Sequence, residues 1–303
     1  MTATLLPTPA TTTRINSRFF DQMVDLLHLG EAAGVVHAVS GFLHAMQSDC
    51  DRWPEMIAAL RGHRLHQALL EDPYLAHSFT RPRGYAGDAG LIDLIYDREP
   101  PPGTSEPGAR LFAVTTASLA SEAVRQRAHH ARALVTAAHA RDGRVCVLAC
   151  GHFREGDALA GLDLRRFTLV DQDEQSLARA RAAHGSARLE AANVFAFLRR
   201  AALAGERYDL VYTLGLTDYL DDRAMALLHR MIARVLAPDG RAVLANFRPD
   251  LACNGWMEAV MDWQLIYRDE ADLAGFAGAA GLSATTWTDP TGQIAWSELQ
   301  PTG

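Results

Sequence analysis

The sequence predicts an α/β protein: five parallel strands and a terminal antiparallel hairpin, preceded by a region that is helical throughout. Three observations carry this. From residue 144 onward, short apolar runs alternate with helix-like stretches, the pattern of βα units that build a parallel sheet. Before residue 140 the apolar residues recur at helical spacing. Between them, residues 144–171 read as a strand, a glycine turn, a helix-like stretch and an acid at the tip of the next strand. That order makes a nucleoside-binding half-unit, in which the glycine admits the ligand to the backbone and the acid accepts hydrogen bonds from ribose hydroxyls.

The chain divides into a flexible Thr/Pro/Ala-rich tail over 1–13, a helical region over 14–140 and a sheet domain over 141–303. Ile15, Phe19, Met23, Leu26 and Leu27 mark a first helix that Gly30 can end. A second runs from about Glu31 to Gln47 and a third from about Trp53 to Leu70. Residues 80–96 differ: three glycines, a proline and two arginines precede a helix pattern at Leu91, Ile92 and Ile95. Glycines cost conformational entropy, so this stretch is either an ordinary turn or a place of close ligand approach. A Pro/Gly linker over 97–108 leads to one long helix from about Ala109 to His139. Its Arg125, Arg127 and Arg132 are expected on a solvated face.

In the sheet domain the expected strands are 144–149, 167–171, 187–190, 208–213 and 241–247. A helix-like stretch from Asp157 to Leu162 follows the glycine turn. Asp173 is a plausible N-cap for a helix to His184, and Asp221 or Asp222 for one ending near Leu236. After strand five come an aromatic-rich helix with Trp256, Trp263 and Tyr267, a helix over 270–280, and a hairpin from 283–288 and 293–299.

Composition narrows the chemistry. The chain has 303 residues, 49% of them hydrophobic, with a net charge of −7, which argues against a dominant nucleic-acid or membrane footprint. All 29 basic residues are arginine, so Schiff-base chemistry, lysine bases and a P-loop lysine are excluded. Cys50, Cys146, Cys150 and Cys253 lack metal-ligand spacing, and the scattered histidines His63, His66 and His77 lack a matching carboxylate pattern, so no metal is expected. With no secretion signal and no membrane-length apolar run, a cytoplasmic protein is expected.

The dinucleotide fingerprint is missing: residues 151–156 read Gly-His-Phe-Arg-Glu-Gly. One close glycine suits a ligand without pyrophosphate, such as S-adenosyl-L-methionine. Asp171, Asn193 and the loop 214–220 all fall at expected strand tips, where open α/β sheets bind ligands. A turn or capping role suits Asn193 as well as contact with an adenine ring.

Several motifs go further: Arg-Pro-Arg-Gly-Tyr-Ala-Gly-Asp at 81–88, Val-Arg-Gln-Arg at 124–127, Ala-Cys-Gly at 149–151 with Arg154-Glu155, and Val-Asp-Gln-Asp at 170–173. Others are Gly-Leu-Thr-Asp-Tyr-Leu at 215–220, Asn-Phe-Arg-Pro at 246–249 and Asp-Trp-Gln-Leu-Ile-Tyr-Arg at 262–268. On these the chain resembles the class I S-adenosylmethionine-dependent methyltransferases, and within them the bacterial extracellular-factor (3-hydroxypalmitate methyl ester) biosynthesis family. The resemblance implies a Rossmann-like sheet, a helical cap over the cofactor and transfer to a small molecule, and the charge and apolar runs above add the expectation of no nucleic-acid or membrane partner. His152-Phe153, Thr217 and Arg248 depart from the family pattern and point to a changed substrate. Proteins of similar build also include enzymes that cyclise the cofactor to azetidine-2-carboxylate.

The expected cofactor contacts are Arg83, Cys150, Gly151, Phe153, Asp171, Gln172, Asn193, Val194, Gly215 and Leu216. Thr217, Asn246, Arg248, Trp263 and Tyr267 are expected to face the acceptor. A sulfonium needs an in-line nucleophile and exclusion of water, with aromatic faces to stabilise the cation. An amine or hydroxyl acceptor also needs a base, for which Asp88, Asp218 and Tyr219 are the candidates, while Tyr85 is the further catalytic candidate as an aromatic face for the cation. Three functions remain open: methyl transfer, cyclisation or aminocarboxypropyl transfer from the same cofactor, and a non-catalytic binding module.

Overall fold

The computed structural model describes residues 9–48, 51–249 and 251–302, with side chains from Ser17 on. Residues 1–8 of the expected tail, the Ile15 side chain and Cys50 lie outside the described residues. Seven helices come first: α1 (Pro9–His28), α2 (Ala32–Gln47), α3 (Trp53–Arg61), α4 (Arg64–Leu69), α5 (Pro73–Thr80), α6 (Ala89–Asp97) and α7 (Glu106–Thr115). Then follow α8 (Leu119–Ala140), β1 (Val145–Leu148), β2 (Phe167–Asp171), α9 (Glu174–Ala183), β3 (Arg188–Ala191), α10 (Val194–Leu203) and β4 (Tyr208–Thr213). The chain ends with α11 (Asp222–Val235), β5 (Leu236–Phe247), α12 (Asn254–Ala259), α13 (Glu270–Ala279), β6 (Leu282–Thr288) and β7 (Ile294–Pro301).

These elements form two compact units. One holds residues 1–121 and 250–264, the other 122–249 and 265–303. The boundary expected at 140/141 therefore falls at 121/122, and the segment 250–264, expected with the sheet, packs with the helices. The cause is specific hydrogen bonding. Arg61 donates to the Glu258 and Ala259 carbonyls, His66 bonds the Val260 carbonyl, Ser78 the Met261 carbonyl and Arg81 the Asp262 carbonyl. Five consecutive carbonyls, the last two of α12 and the three that follow it, are thus satisfied by the N-terminal helices, a need that any helix end creates. The aromatic-rich helix expected here is accordingly only six residues long.

Two other expected helices are broken. The third stops at Gly62, and His63 Nδ1 accepts from the Leu65 N–H to start a new one. The long helix of 109–139 is two: Thr116 Oγ1 bonds the Phe112 carbonyl and Ser118 Oγ accepts from the Ser121 N–H, so hydroxyls close one helix and cap the next. Ser105 and Pro107 start α7 within the expected linker. In the same unit Asp72 caps α5, accepts from Thr115 Oγ1 at 2.6 Å and is fully buried. Burial is the main reason its pKa is raised to about 6.

The second unit is a seven-stranded sheet of order β3-β2-β1-β4-β5-β7-β6. β1 to β5 run parallel and β6 and β7 form the expected antiparallel hairpin, which joins the sheet through β7 lying antiparallel to β5. β1 and β2 are buried at every residue, the mark of strands covered on both faces. On one face Phe197 and Leu198 of α10 and Leu228 and Ile232 of α11 pack on Cys146, Leu148, Val211 and Leu244. On the other, α8 sets His130 against Trp296 and His139 near Phe167. β5 begins five residues before the expected Arg241, because Leu236 already pairs with Tyr208 ahead of a register shift. The strand order reverses between β2-β1 and β4, which places the ligand crevice at the carboxyl ends of these strands.

Candidate functional site

The loop after β1 has an unusual backbone. Ala149, Gly151 and Phe153 all lie in the left-handed region, at φ of 52°, 53° and 52°. Only one is glycine. Holding an L-residue there costs roughly 1–2 kcal/mol, and such conformations gather at functional sites. The surroundings enforce it. The Cys150 N–H donates to the Val170 carbonyl at 3.1 Å, tying the loop to β2. The Phe153 ring is 1% exposed and packs on Phe167 and, edge-on, on His184. Gly156 gives that ring room: a Cβ there would stand 2.1 Å from it. The Phe153 side chain is thus core packing, which leaves its backbone as the part available to a cofactor.

The helix expected over Asp157–Leu162 is instead a six-residue 3-10 helix, Arg154–Leu159. With Phe153 left-handed at its start, the chain enters a tighter helix than α. Asp171 clamps the loop from the tip of β2. Its carboxylate accepts from the Gly151 N–H at 2.8 Å and from the Asp173 N–H at 2.9 Å. Burial is the main cause of its raised pKa, opposed by these N–H bonds. Glu155 is buried as well and accepts from the Tyr212 hydroxyl at 2.7 Å, with its pKa raised chiefly by burial. Both acids lie close enough to Cys150 to add to burial in raising its thiol pKa. Gln172, next to the clamp, is exposed.

Asn193 caps α10, accepting from the Phe195 and Ala196 N–H groups, and Val194 behind it is buried. At the tip of β4 a second loop, residues 214–222, is tied down almost carbonyl by carbonyl. Arg127 of α8 donates to the Leu214 carbonyl at 2.6 Å and pairs with Asp218 at 3.4 Å. Its guanidinium also lies 5.0 Å from the Phe247 ring centroid. Arg268 donates to the Thr217 and Leu220 carbonyls and to Asp222. The Ile266 N–H donates to the Asp218 carbonyl at 2.7 Å. Asp218 also accepts from the Phe247 N–H at 2.7 Å. Burial raises its pKa, against the pull of Arg127 and that N–H.

Gly215 and Leu216 are half-buried in this loop, and a Cβ on Gly215 would meet only open space. Tyr219 is 39% exposed at its end. Thr217 is fully buried and donates to the Ala245 carbonyl. Asn246 is fully buried and donates to the Phe247 and Ile266 carbonyls. The structure therefore gives both residues a bracing place behind the loop. Arg248 turns toward the connection between β6 and β7, bonding the Gly292 carbonyl there and pairing with Glu270 of α13. Tyr267 is half-buried.

The remaining expected residues belong to the helical unit. Arg83 and Tyr85 are half-buried in the 81–88 turn, where Arg81 and Gly84 are left-handed. Asp88 is fully buried, caps α6 through the Leu91 N–H and bonds His77 Nε2 at 2.8 Å. Burial raises its pKa, but His77 and the Leu91 N–H outweigh this and hold it below the usual carboxylate range. That engagement suits a cap better than a free base. Trp263 is 4% exposed, a packing residue of this unit.

The sequence reading missed three residues. Arg127 was expected in solvent but is 5% exposed, and Arg268 is 3% exposed. Glu155 is the third. Their only sequence signal was membership of the motifs at 124–127, 154–155 and 262–268, since helix spacing cannot tell a buried ion pair from a surface one.

The sheet unit is a Rossmann-like α/β fold of the class I methyltransferase kind. Residues 147–244 match the family described as methyltransferase domain, making this segment the core of an S-adenosylmethionine-dependent transferase. No curated protein matches the sequence. Among solved structures, a Bordetella parapertussis protein described as a possible exported protein aligns with TM-score 0.56 and 21% identity, over 78% of this chain and 93% of its own. That likeness concerns the fold alone. The magnesium protoporphyrin IX methyltransferase of Synechocystis aligns at TM-score 0.45 and 17% identity, over 61% and 88% of the two chains. The 1,6-didemethyltoxoflavin N1-methyltransferase of Burkholderia thailandensis aligns at 0.44 and 20%, over 58% and 79%. Among the described residues no helix is long and apolar enough to cross a membrane.

Proposed function

We propose that the protein transfers the methyl group of S-adenosylmethionine to a small molecule. One observation supports this above others: the tip between β1 and β2 is acidic and lacks an α-helix. A dinucleotide site sets its pyrophosphate on the N-terminus of an α-helix that follows the glycine turn. Here a 3-10 helix with Glu155 and Asp157 in its first turn takes that place, beside the buried Asp171. Such a tip repels phosphate and favours a nucleoside that carries positive charge, as a sulfonium does. Asp171, at the tip of β2, keeps lone pairs after its two N–H bonds with which to accept from ribose hydroxyls.

The chain's residues then have separable tasks. The 149–153 backbone receives the nucleoside, Asp171 holds that backbone and the sugar, and the 214–220 loop bounds the cofactor from β4. Tyr219 is the exposed phenol at this tip, suited to face the sulfonium or the acceptor. Methyl transfer leaves S-adenosylhomocysteine, whereas cyclisation of the cofactor leaves methylthioadenosine.

Product identification tests the reading. Pure protein is incubated with S-adenosylmethionine alone and with pools of small carboxylates, amino acids and phenols, and the sulfur product is identified by mass spectrometry. S-adenosylhomocysteine that forms only with an acceptor is the expected result. Methylthioadenosine without an acceptor would overturn methyl transfer in favour of cyclisation.

A further inference from the structure

The loop after β4 is held by side chains that the reaction itself does not require. Arg127 and Arg268 are both buried, and between them they occupy the carbonyls of Leu214, Thr217 and Leu220. Burying a guanidinium is costly unless it is paired and hydrogen-bonded. A fold that needed only apolar cover here could use leucine or methionine at both places. Instead Arg127 meets Asp218, also buried, and Arg268 reaches Asp222, whose side chain is 80% exposed. The two arginines come from different elements, one from α8 and one just before α13. They converge on one short loop at the strand tip, from Leu214 to Asp222.

We infer that Arg127 and Arg268 are positioning residues for the cofactor: they set the shape of loop 214–222 that receives S-adenosylmethionine at the end of β4. This rests on the cofactor reading above. Arg127 fixes the start of the loop at Leu214 and its middle at Asp218, while Arg268 fixes Thr217 and the exit at Leu220. Gly215 and Leu216, between these points, present backbone and open space to the ligand. Neither arginine need touch it.

Stability and positioning can be separated by removing charges in pairs. Arg127→Met alone strands the buried Asp218 carboxylate and should lower the Tm by roughly 5–10 °C. Arg127→Met with Asp218→Asn removes both charges, keeps an acceptor for the Phe247 N–H and should restore most of that Tm. If the pair only balances charge, affinity returns with the Tm. If it positions the loop, the Kd for S-adenosylmethionine, measured by calorimetry, stays about tenfold or more above wild type. Arg127→Lys serves where the methionine variant fails to fold: it keeps the charge, but its ammonium stops one bond short of Nη1, the nitrogen that meets both Leu214 and Asp218, and the same weakening at near-normal Tm is expected. Arg268→Met should weaken binding likewise: it releases the Thr217 and Leu220 carbonyls, and the carboxylate whose ion pair it breaks, Asp222, lies at the surface. Wild-type affinity in the Tm-restored double variant or in Arg127→Lys would overturn the inference. A wild-type protein that gives no heat with S-adenosylmethionine would instead overturn the cofactor reading.

Discussion

Two loops meet the same edge of the sheet and are held by opposite means. The loop after β1 is held by its own strained backbone and by an acid, with Asp171 bonded to backbone N–H groups. The loop after β4 is held by cations, with Arg127 and Arg268 bonded to backbone carbonyls. The first gathers the buried acids Glu155 and Asp171 at the tip with no buried arginine bonded to either, whereas the second pairs its acids with arginines. On the proposed function the difference assigns roles: a cationic nucleoside would find its complement at the first loop and a shaped, electrically quiet wall at the second.

The largest effect is expected at the acid. Asp171→Ala frees the Gly151 and Asp173 N–H groups together, and hydrogen bonds to a charged group contribute about 1.5–3 kcal/mol each. Affinity for S-adenosylmethionine should fall about 100-fold or more by calorimetry. A change under threefold would show that the clamp is dispensable and that the two loops do not differ as argued.

Next comes the packing that keeps Phe153 left-handed. Gly156→Ala drives a Cβ into the ring, and overpacking of this kind costs about 1–3 kcal/mol. Denaturant melts should show that loss together with roughly tenfold weaker binding. Stability lost without any change in affinity would detach the ring from the site.

Asp72, remote from both loops in sequence, supplies a control of known sign. Its folded pKa is raised to about 6 from 3.8, so the folded state holds its proton more tightly. The stability it contributes is full below about 3.8 and is lost as pH rises through about 6. Asp72→Asn keeps the helix cap and should gain about 1–2 kcal/mol at pH 7.5 but nothing at pH 3.5. Urea melts at the two pH values check this, and an equal effect at both would contradict it.

The smallest effect has the opposite sign from the first two. Ala149 is left-handed without being glycine, so Ala149→Gly should stabilise the protein by about 0.5–1 kcal/mol. Binding should be unchanged, because the backbone shape is retained. A destabilised variant would mean that the alanine methyl packs in a way the strain argument ignores.

The sheet was legible in the sequence because buried parallel strands read as apolar runs; β2 and β4 occupy the expected residues. The Asp173 and Asp221 caps were legible because a capping acid precedes each helix by one residue. The loop geometry was not. Ala149 and Phe153 adopt a conformation that residue type argues against, and only packing by Phe167, His184 and Gly156 imposes it. Arg127 read as solvated because its partners, Leu214 and Asp218, lie about ninety positions away. Thr217 and Asn246 fell at the right tips, yet whether such a residue faces ligand or neighbouring backbone depends on side-chain direction, which spacing does not carry. The 250–264 segment was read as part of the sheet domain because the carbonyls that recruit it to Arg61, His66, Ser78 and Arg81 are the same in every sequence.

The central claim is that the β1 tip takes a phosphate-free, positively charged nucleoside. Calorimetric titration of the wild-type protein with S-adenosylmethionine, and separately with NAD and ATP, tests it most directly. The account predicts one-site binding of S-adenosylmethionine and no detectable heat with either phosphate-bearing nucleotide. Binding of NAD or ATP as tight as that of S-adenosylmethionine, or no heat with S-adenosylmethionine, would contradict it.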